Sequence, residues 1–264
     1  MAHGNFHGIT HGDIHGIKHG GLTLGINATK DATSGVFVPQ NASEWASVMA
    51  GAGIASGSPA NAWNLQEASG NMTDFLGARN LTATGVLTYQ QPVTGWTRLG
   101  IKSVDASSTQ YASTAIPAMN GASAMLLQYV SFNTVAPIAT RGICYLGFNT
   151  VQQTQFLTSG KLNSRSGGNN AAGNTVYAAG AVIPILTRYN LTGTSFFTYT
   201  KDEVLAPTWN TSSGTTLIVV GDHTSACDCT VMYAAFWTGP SAEITQAQGR
   251  SLIRTLGNGL WSPP

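Results

Sequence analysis

The residues with the most evident chemistry stand at the front of the chain. His3, His7, His11, His15 and His19 recur at every fourth position, each followed by glycine, and His223 is the only other histidine. A period of four suits neither an α-helix nor a polyproline helix. It suits an extended chain, where residues i and i+4 point the same way, so the five imidazoles would line one face. An extended arm this rich in glycine has no partner within itself and is expected to lie against another copy or another particle. Imidazole rows suit a transition metal such as Zn, Ni or Fe when copies run together. They also suit simple docking, with ring nitrogens bonded to a partner's groove. Both readings stand for the arm.

Fewer candidates lie in the body of the chain. Sugar recognition uses an aromatic platform beside amide hydrogen-bonding groups. Trp209-Asn210, in the loop 206–214, fits that pattern, and Trp96 in Thr94-Gly95-Trp96 comes next. Packing or a subunit interface is the competing account of each tryptophan. Trp63 and Trp237 fall within strand patterns and are assigned to the core. His223 lies beside Asp222 and near Asp228, a catalytic or metal-like grouping that solvated turn residues also produce. Asp202 and Glu203 are adjacent, so on a strand they would face opposite sides and not flank one glycosidic bond. Cys144, Cys227 and Cys229 are too few for a disulfide framework and lack zinc-site spacing, so they are read as free thiols. No phosphate loop, nucleophile elbow or H-E-x-x-H occurs.

Composition narrows the class. Charged residues make up 9% of the 264 and the formal net charge is +1. That lacks the basic footprint of a nucleic-acid binder. It is also far below the roughly 25% of ordinary soluble proteins, as in a surface partly covered by other subunits. No apolar run approaches the ~18 residues of a membrane span. The first residues do not have the basic-then-apolar pattern of a secretory leader, so the chain is expected to be made in the cytoplasm.

The elements that must hold these residues read as strands. Residues 21–40 look like a linker into a short strand, 35–38. Asn41 caps a helix from Ala42 to Met49, with Glu44 at its third position. From Trp63 on, short strands alternate with turn clusters such as 166–170 and 212–214. Candidates are 62–66, 85–89, 98–104, 110–115, 124–132, 142–148, 154–157, 175–186, 195–200, 216–220 and 230–237. In 124–132 both alternating faces are largely apolar, as in a central strand covered on both sides. One convincing helix closes the chain, from Ser241 as N-cap to Leu256, stopped by Gly257. The expected fold is all-β, an antiparallel two-sheet jelly-roll sandwich with a C-terminal helix and an extended N-terminal arm. Residues 1–40 form the arm and linker, and 41–264 the jelly-roll domain.

Specific residues add a resemblance. Trp63-Asn64-Leu65-Gln66-Glu67-Ala68-Ser69-Gly70-Asn71, then Thr73-Asp74, Gly77 and Leu81-Thr82-Ala83-Thr84-Gly85, resembles the opening of concanavalin A-like, laminin-G-type jelly rolls. Leu217-Ile218-Val219-Val220-Gly221, Val231 to Trp237 and Ser241-Ala242-Glu243-Ile244 resemble that family's last strands and helix start. The tail Leu256 to Pro263 resembles the ends of such domains in tailed-phage structural proteins. The likeness spans 60–264. It implies a bacteriophage virion protein: a capsid decoration (cement), head-fibre or tail-fibre component, trimeric, anchored through the arm to other virion proteins. The alternative is a carbohydrate-binding module that recognises host surface glycan. Calcium on a loop rim is a family feature, for which Asp74, Asp105 and Asp222 are the available carboxylates. Glycosidases of this fold carry E-x-D-x-x-E, and Glu44, Glu67, Glu203 and Glu243, the only glutamates, do not stand in that spacing. The chain is therefore expected not to be an enzyme.

In a trimer the arm would stack its histidines in rings of three, spaced about 13 Å along extended chain. Metal rings predict a transition metal in the native assembly. They also predict loss of assembly stability on adding a chelator or on protonating the imidazoles below about pH 5. Elemental analysis and melting with and without chelator check this, and neither metal nor a shift leaves only the docking arm.

Overall fold

The computed structural model describes residues 25–55, 57–104, 109–116, 123–146, 152–190, 195–208 and 215–261. The five arm histidines, Trp209, Asn210 and Asp105 lie outside these. In chain order the described elements are α1 (Ala42–Gly51), β1 (Asn61–Trp63), β2 (Thr82–Thr84), β3 (Thr88–Pro92), β4 (Leu99–Ser103), β5 (Gln110–Ala115), β6 (Ala124–Phe132) and β7 (Arg141–Leu146). There follow β8 (Gln152–Phe156), β9 (Lys161–Ser166), β10 (Asn169–Val176), β11 (Val182–Asn190), β12 (Ser195–Tyr199), β13 (Val204–Leu205), β14 (Thr216–Asp222), β15 (Cys229–Thr238) and α2 (Gln246–Leu256).

The strands form two antiparallel sheets, as expected. One runs β13-β12-β11-β6-β15-β4-β3, with β1 also on β15; the other runs β10-β9-β8-β7-β14-β5-β2. The alternation in β6 explains the layering. Ala124, Leu126, Val130 and Phe132 enter the core between the sheets, whereas Met125, Leu127 and Tyr129 enter a second core on the opposite face. Phe132 stacks on Phe156 across the sandwich, with centroids 4.0 Å apart. The second core is closed by Trp45, Val48 and Met49 of α1 and by Leu252, Ile253 and Leu256 of α2.

Several expectations are corrected. Residues 25–40, read as a linker, pack into that outer core through buried Val36, Phe37 and Val38. Their expected strand reduces to one bridge, Lys30 to Phe37. Phe37 N–H bonds the Leu256 carbonyl, and Asp31 accepts from Thr97 N–H and Oγ1, so the segment is tied to the C-terminal helix and to the connection between β3 and β4. The stretch 175–186 is not one strand. It turns at Gly180 (φ 78°), whose N–H reaches Phe132 O at 2.7 Å, and its halves join different sheets. The last helix starts later than Ser241. A short 3-10 turn, Gly239–Ala242, comes first, and α2 is capped by Thr245 in a reciprocal box with Gln248. Ser241 instead donates to Thr238 O. Gly257 does end the helix, and Asn41 does cap α1 by accepting from Glu44 N–H. All three cysteines are free and buried.

Asp74, a candidate calcium carboxylate, is a structural hub. Its two oxygens accept from the N–H groups of Ala62, Leu76, Gly77 and Arg79 and from the Asn61 amide, at 2.6–3.1 Å. Burial alone would raise this carboxyl. The bonds from Arg79, Gly77, Ala62 and Asn61 more than offset that and hold it below the ordinary 3.8. Asp31 and Glu44 are lowered in the same way, burial being outweighed by bonds from Ser34 and Thr97 and from Thr29 and Gln40. A depressed carboxyl contributes stability that is complete above its unfolded value and is lost as pH falls through the folded value. Thermal melts are therefore expected to stay level from neutral pH to the ordinary carboxylate range and then drop. Asp74→Ala, which strands several buried donors, is expected to cost about 3 kcal/mol at neutral pH, read from urea midpoints, and to flatten the acid limb.

Candidate functional site

The candidate site lies on the outer face of the seven-stranded sheet. Strand β8 sends Phe156 into the inter-sheet core, where Thr154 meets Thr187 of β11 at 3.2 Å. Gln153 and Gln155 therefore point outward. In β9, Leu162 is a core residue and Ser164 meets Thr198 of the other sheet at 2.8 Å, so Lys161, Asn163 and Arg165 share that outer face. Register sets Asn163 opposite Gln155 and Arg165 opposite Gln153.

The amides form a directed row. Gln153 Nε2 donates to Asp222 Oδ2 (3.2 Å), Gln155 Nε2 to Gln153 Oε1 (2.7 Å), and Asn163 Nδ2 to Gln155 Oε1 (2.8 Å) and Asn170 Oδ1 (3.0 Å). A carboxylate oxygen accepts, so Gln153 turns its amide nitrogen toward it. Its oxygen then faces Gln155, and the choice propagates strand by strand. The far end is Asn163 Oδ1, which is buried without a hydrogen-bond partner although the residue is only 4% exposed. The opposite end is closed: Asp222 is 1% exposed, accepts from Thr224 N–H at 2.9 Å, and has His223 Nδ1 at 3.2 Å from Oδ1.

A glycine makes the junction. A Cβ on Gly142 of β7 would lie 2.0 Å from Asp222 Oδ2 and 2.6 Å from Gln153 Nε2. Only a residue without a side chain lets β14 and β8 join hands across β7. Of the other sequence candidates, Trp96 is half-buried against Tyr129, centroids 5.9 Å apart, on the helix-covered side of the sandwich and a full sandwich away from the amides. Thr208, the last described residue before Trp209, accepts through its carbonyl from Asn169 Nδ2 (3.0 Å), beside Asn170. Asp202 and Glu203 stand in a bend rather than on a strand, and Glu203 accepts from Asn174 N–H at 2.7 Å. Trp63 and Trp237 are fully buried core. No group of three or more metal-type side chains occurs among the described residues.

Solved structures share this architecture. The sialidase of Trypanosoma rangeli, in complex with 2,3-difluoro-KDN, superposes with TM-score 0.54 at 10% identity over 76% of this chain and 33% of that one. The binding domain of botulinum neurotoxin DC in complex with SialylT gives 0.51 at 10%, over 75% and 52%. A structure concerning botulinum neurotoxin type C, whose cell entry depends on two ganglioside molecules, gives 0.51 at 10%, over 75% and 51%. This chain thus spans between a third and about half of their lengths, and likeness at that identity shows the fold alone. No family model matches the sequence, and no curated protein does.

One expectation is overturned here. Sialidases stand among the structures of this fold, so the inference that the chain is not an enzyme, drawn from the lack of E-x-D-x-x-E, does not hold. That spacing speaks to one arrangement of acids only. Because the row depends on the gap at residue 142, Gly142→Ala is expected to separate Asp222 from Gln153 and to cost about 2 kcal/mol. Calorimetric melting checks this, with Gly168→Ala, where a Cβ meets nothing, as the neutral control.

Proposed function

We propose that this chain is a carbohydrate-binding jelly-roll module carried on a phage-like virion, with the outer face of the seven-stranded sheet as its glycan site. The observation that carries the reading is the amide row ending in the unpartnered, buried acceptor Asn163 Oδ1, between the half-buried Lys161 and Arg165. Sugar hydroxyls need fixed donors and acceptors at close spacing, and a buried carboxylate fixes the orientation of the amides in this row. The names of the similar structures, which speak of sialic acid, SialylT and gangliosides, point the same way.

The virion setting rests on other features. The His-Gly arm and the scarcity of charge fit a head attached to a larger particle by its N-terminus. Trp209 and Asn210 remain the proposed aromatic and amide partners from the following loop.

Glycan-array binding of the full chain tests the site. Selective binding is expected, reduced at least about tenfold in Asn163→Ala or Gln155→Ala, the loss of one or two well-placed hydrogen bonds. Binding unaffected by either change removes the proposed face. Co-sedimentation with particles, with and without residues 1–20, tests the attachment, and a monodisperse monomer that binds no particle contradicts it.

A further inference from the structure

The outward residues of β9 are Lys161, Asn163 and Arg165, so a cation flanks the unpartnered amide on each side. Alternate residues on a strand lie about 7 Å apart, which sets the three within the span of one or two sugar rings. Among the described residues neither cation forms an ion pair. Arg165 uses only Nε, donating to Gly167 O at 2.8 Å, which holds the guanidinium over the β9–β10 turn. Both cations are half-buried rather than splayed into solvent. Acids that touch these strands are already occupied: Asp222 by Gln153 and Thr224, Glu203 by Asn174 N–H and the Tyr177 hydroxyl. In a chain so poor in charge, two cations on one strand face without an ion pair, either side of an unfilled acceptor, are groups that an anion can meet.

We infer that the ligand of this face is an acidic glycan, one whose carboxylate or sulfate meets Arg165 or Lys161, the accessible cations on either side of Asn163. This rests on the glycan reading above and names its ligand class. The guanidinium's free fork suits a planar carboxylate in particular, and an ammonium serves either anion as a point charge.

Titration of the full chain with sialyllactose against lactose, together with an array of uronate-bearing and sulfated disaccharides beside their neutral parents, decides it. The acidic members are expected to bind at least about tenfold tighter and to weaken as salt is raised. Arg165→Gln and Lys161→Gln, both at half-exposed sites that leave the core intact, should remove that preference while sparing the neutral sugars. Comparing the uronate and sulfate arms identifies the anion. Equal binding of acidic and neutral glycans, indifferent to salt and to both substitutions, overturns the inference and leaves the glycan reading standing. No binding by any glycan overturns that reading and this inference with it.

Discussion

Strand β6 is buried along its whole length, and that burial is the constraint from which the rest follows. A strand apolar on both faces needs two covers. Its neighbour β15 is nearly as enclosed, and the two pair over most of their length. The inner cover is the seven-stranded sheet. The outer cover has to be assembled from whatever the chain supplies next to it, namely α1, α2 and residues 36–38. Tyrosines on the outer face make that cover specific. Tyr129 Oη donates to Phe37 O (2.7 Å) and Tyr233 Oη to Pro39 O (2.6 Å), while Trp45 Nε1 donates to Tyr233 Oη (3.0 Å). A buried hydroxyl without an acceptor costs about 1–3 kcal/mol, so the segment before α1 is required to dock there.

The outer core covers the eight-stranded sheet. The seven-stranded sheet buries polar side chains on its outer face, where Gln153, Gln155, Asn163 and Asp222 are 9% exposed or less, and mainly apolar ones on its inner face. Even that face is partly polar near β8 and β9, where hydroxyl pairs (Thr154 with Thr187, Ser164 with Thr198) cross the gap between sheets. Gln128 does the same in the centre, donating to Val219 O at 2.6 Å. These bonds fix the relative position of β8, β9, β11 and β12 more sharply than aliphatic packing would, since each has a direction as well as a contact distance. The amide row on the outer face inherits that rigidity.

What was legible in the sequence follows the same division. The span 124–132 was readable residue for residue, because its two apolar faces leave no other placement. The N-cap of α1 and the stop at Gly257 were readable because they are local. Strand β9 was not, since K-L-N-S-R-S has one apolar residue and its inner serines are satisfied only by a sheet that the sequence does not place opposite them. The late start of α2 was hidden because Ser241 and Thr245 are both acceptable caps, and the choice is made by the turn that leaves β15. The amide row was hidden for a stronger reason: Gln153 and Asp222 meet from 69 positions apart. Its one local sign was Gly142, a glycine at a strand start, which marks a close approach without saying of what.

The direction of the row then decides which of its ends keeps an unfilled acceptor. At the Asp222 end the carboxylate is enclosed by Gln153, Thr224 and His223, and the strand between is reduced to glycine so that the contact closes. A ligand arriving there would meet an acceptor already filled. At the β9 end the same polarity leaves an oxygen unfilled, and register brings Asn163 and Arg165 alongside the β9–β10 hairpin. That hairpin is also where Asn169 grips the chain at Thr208, immediately before Trp209 and Asn210 in sequence. The Asp222 end orients the row and the Asn163 end keeps its unfilled acceptor, so substitutions at Asp222 and at Asn163 should differ in kind. Removing the carboxylate frees every amide to flip and blurs donor against acceptor along the row, whereas removing Asn163 deletes one acceptor and leaves the remaining order intact.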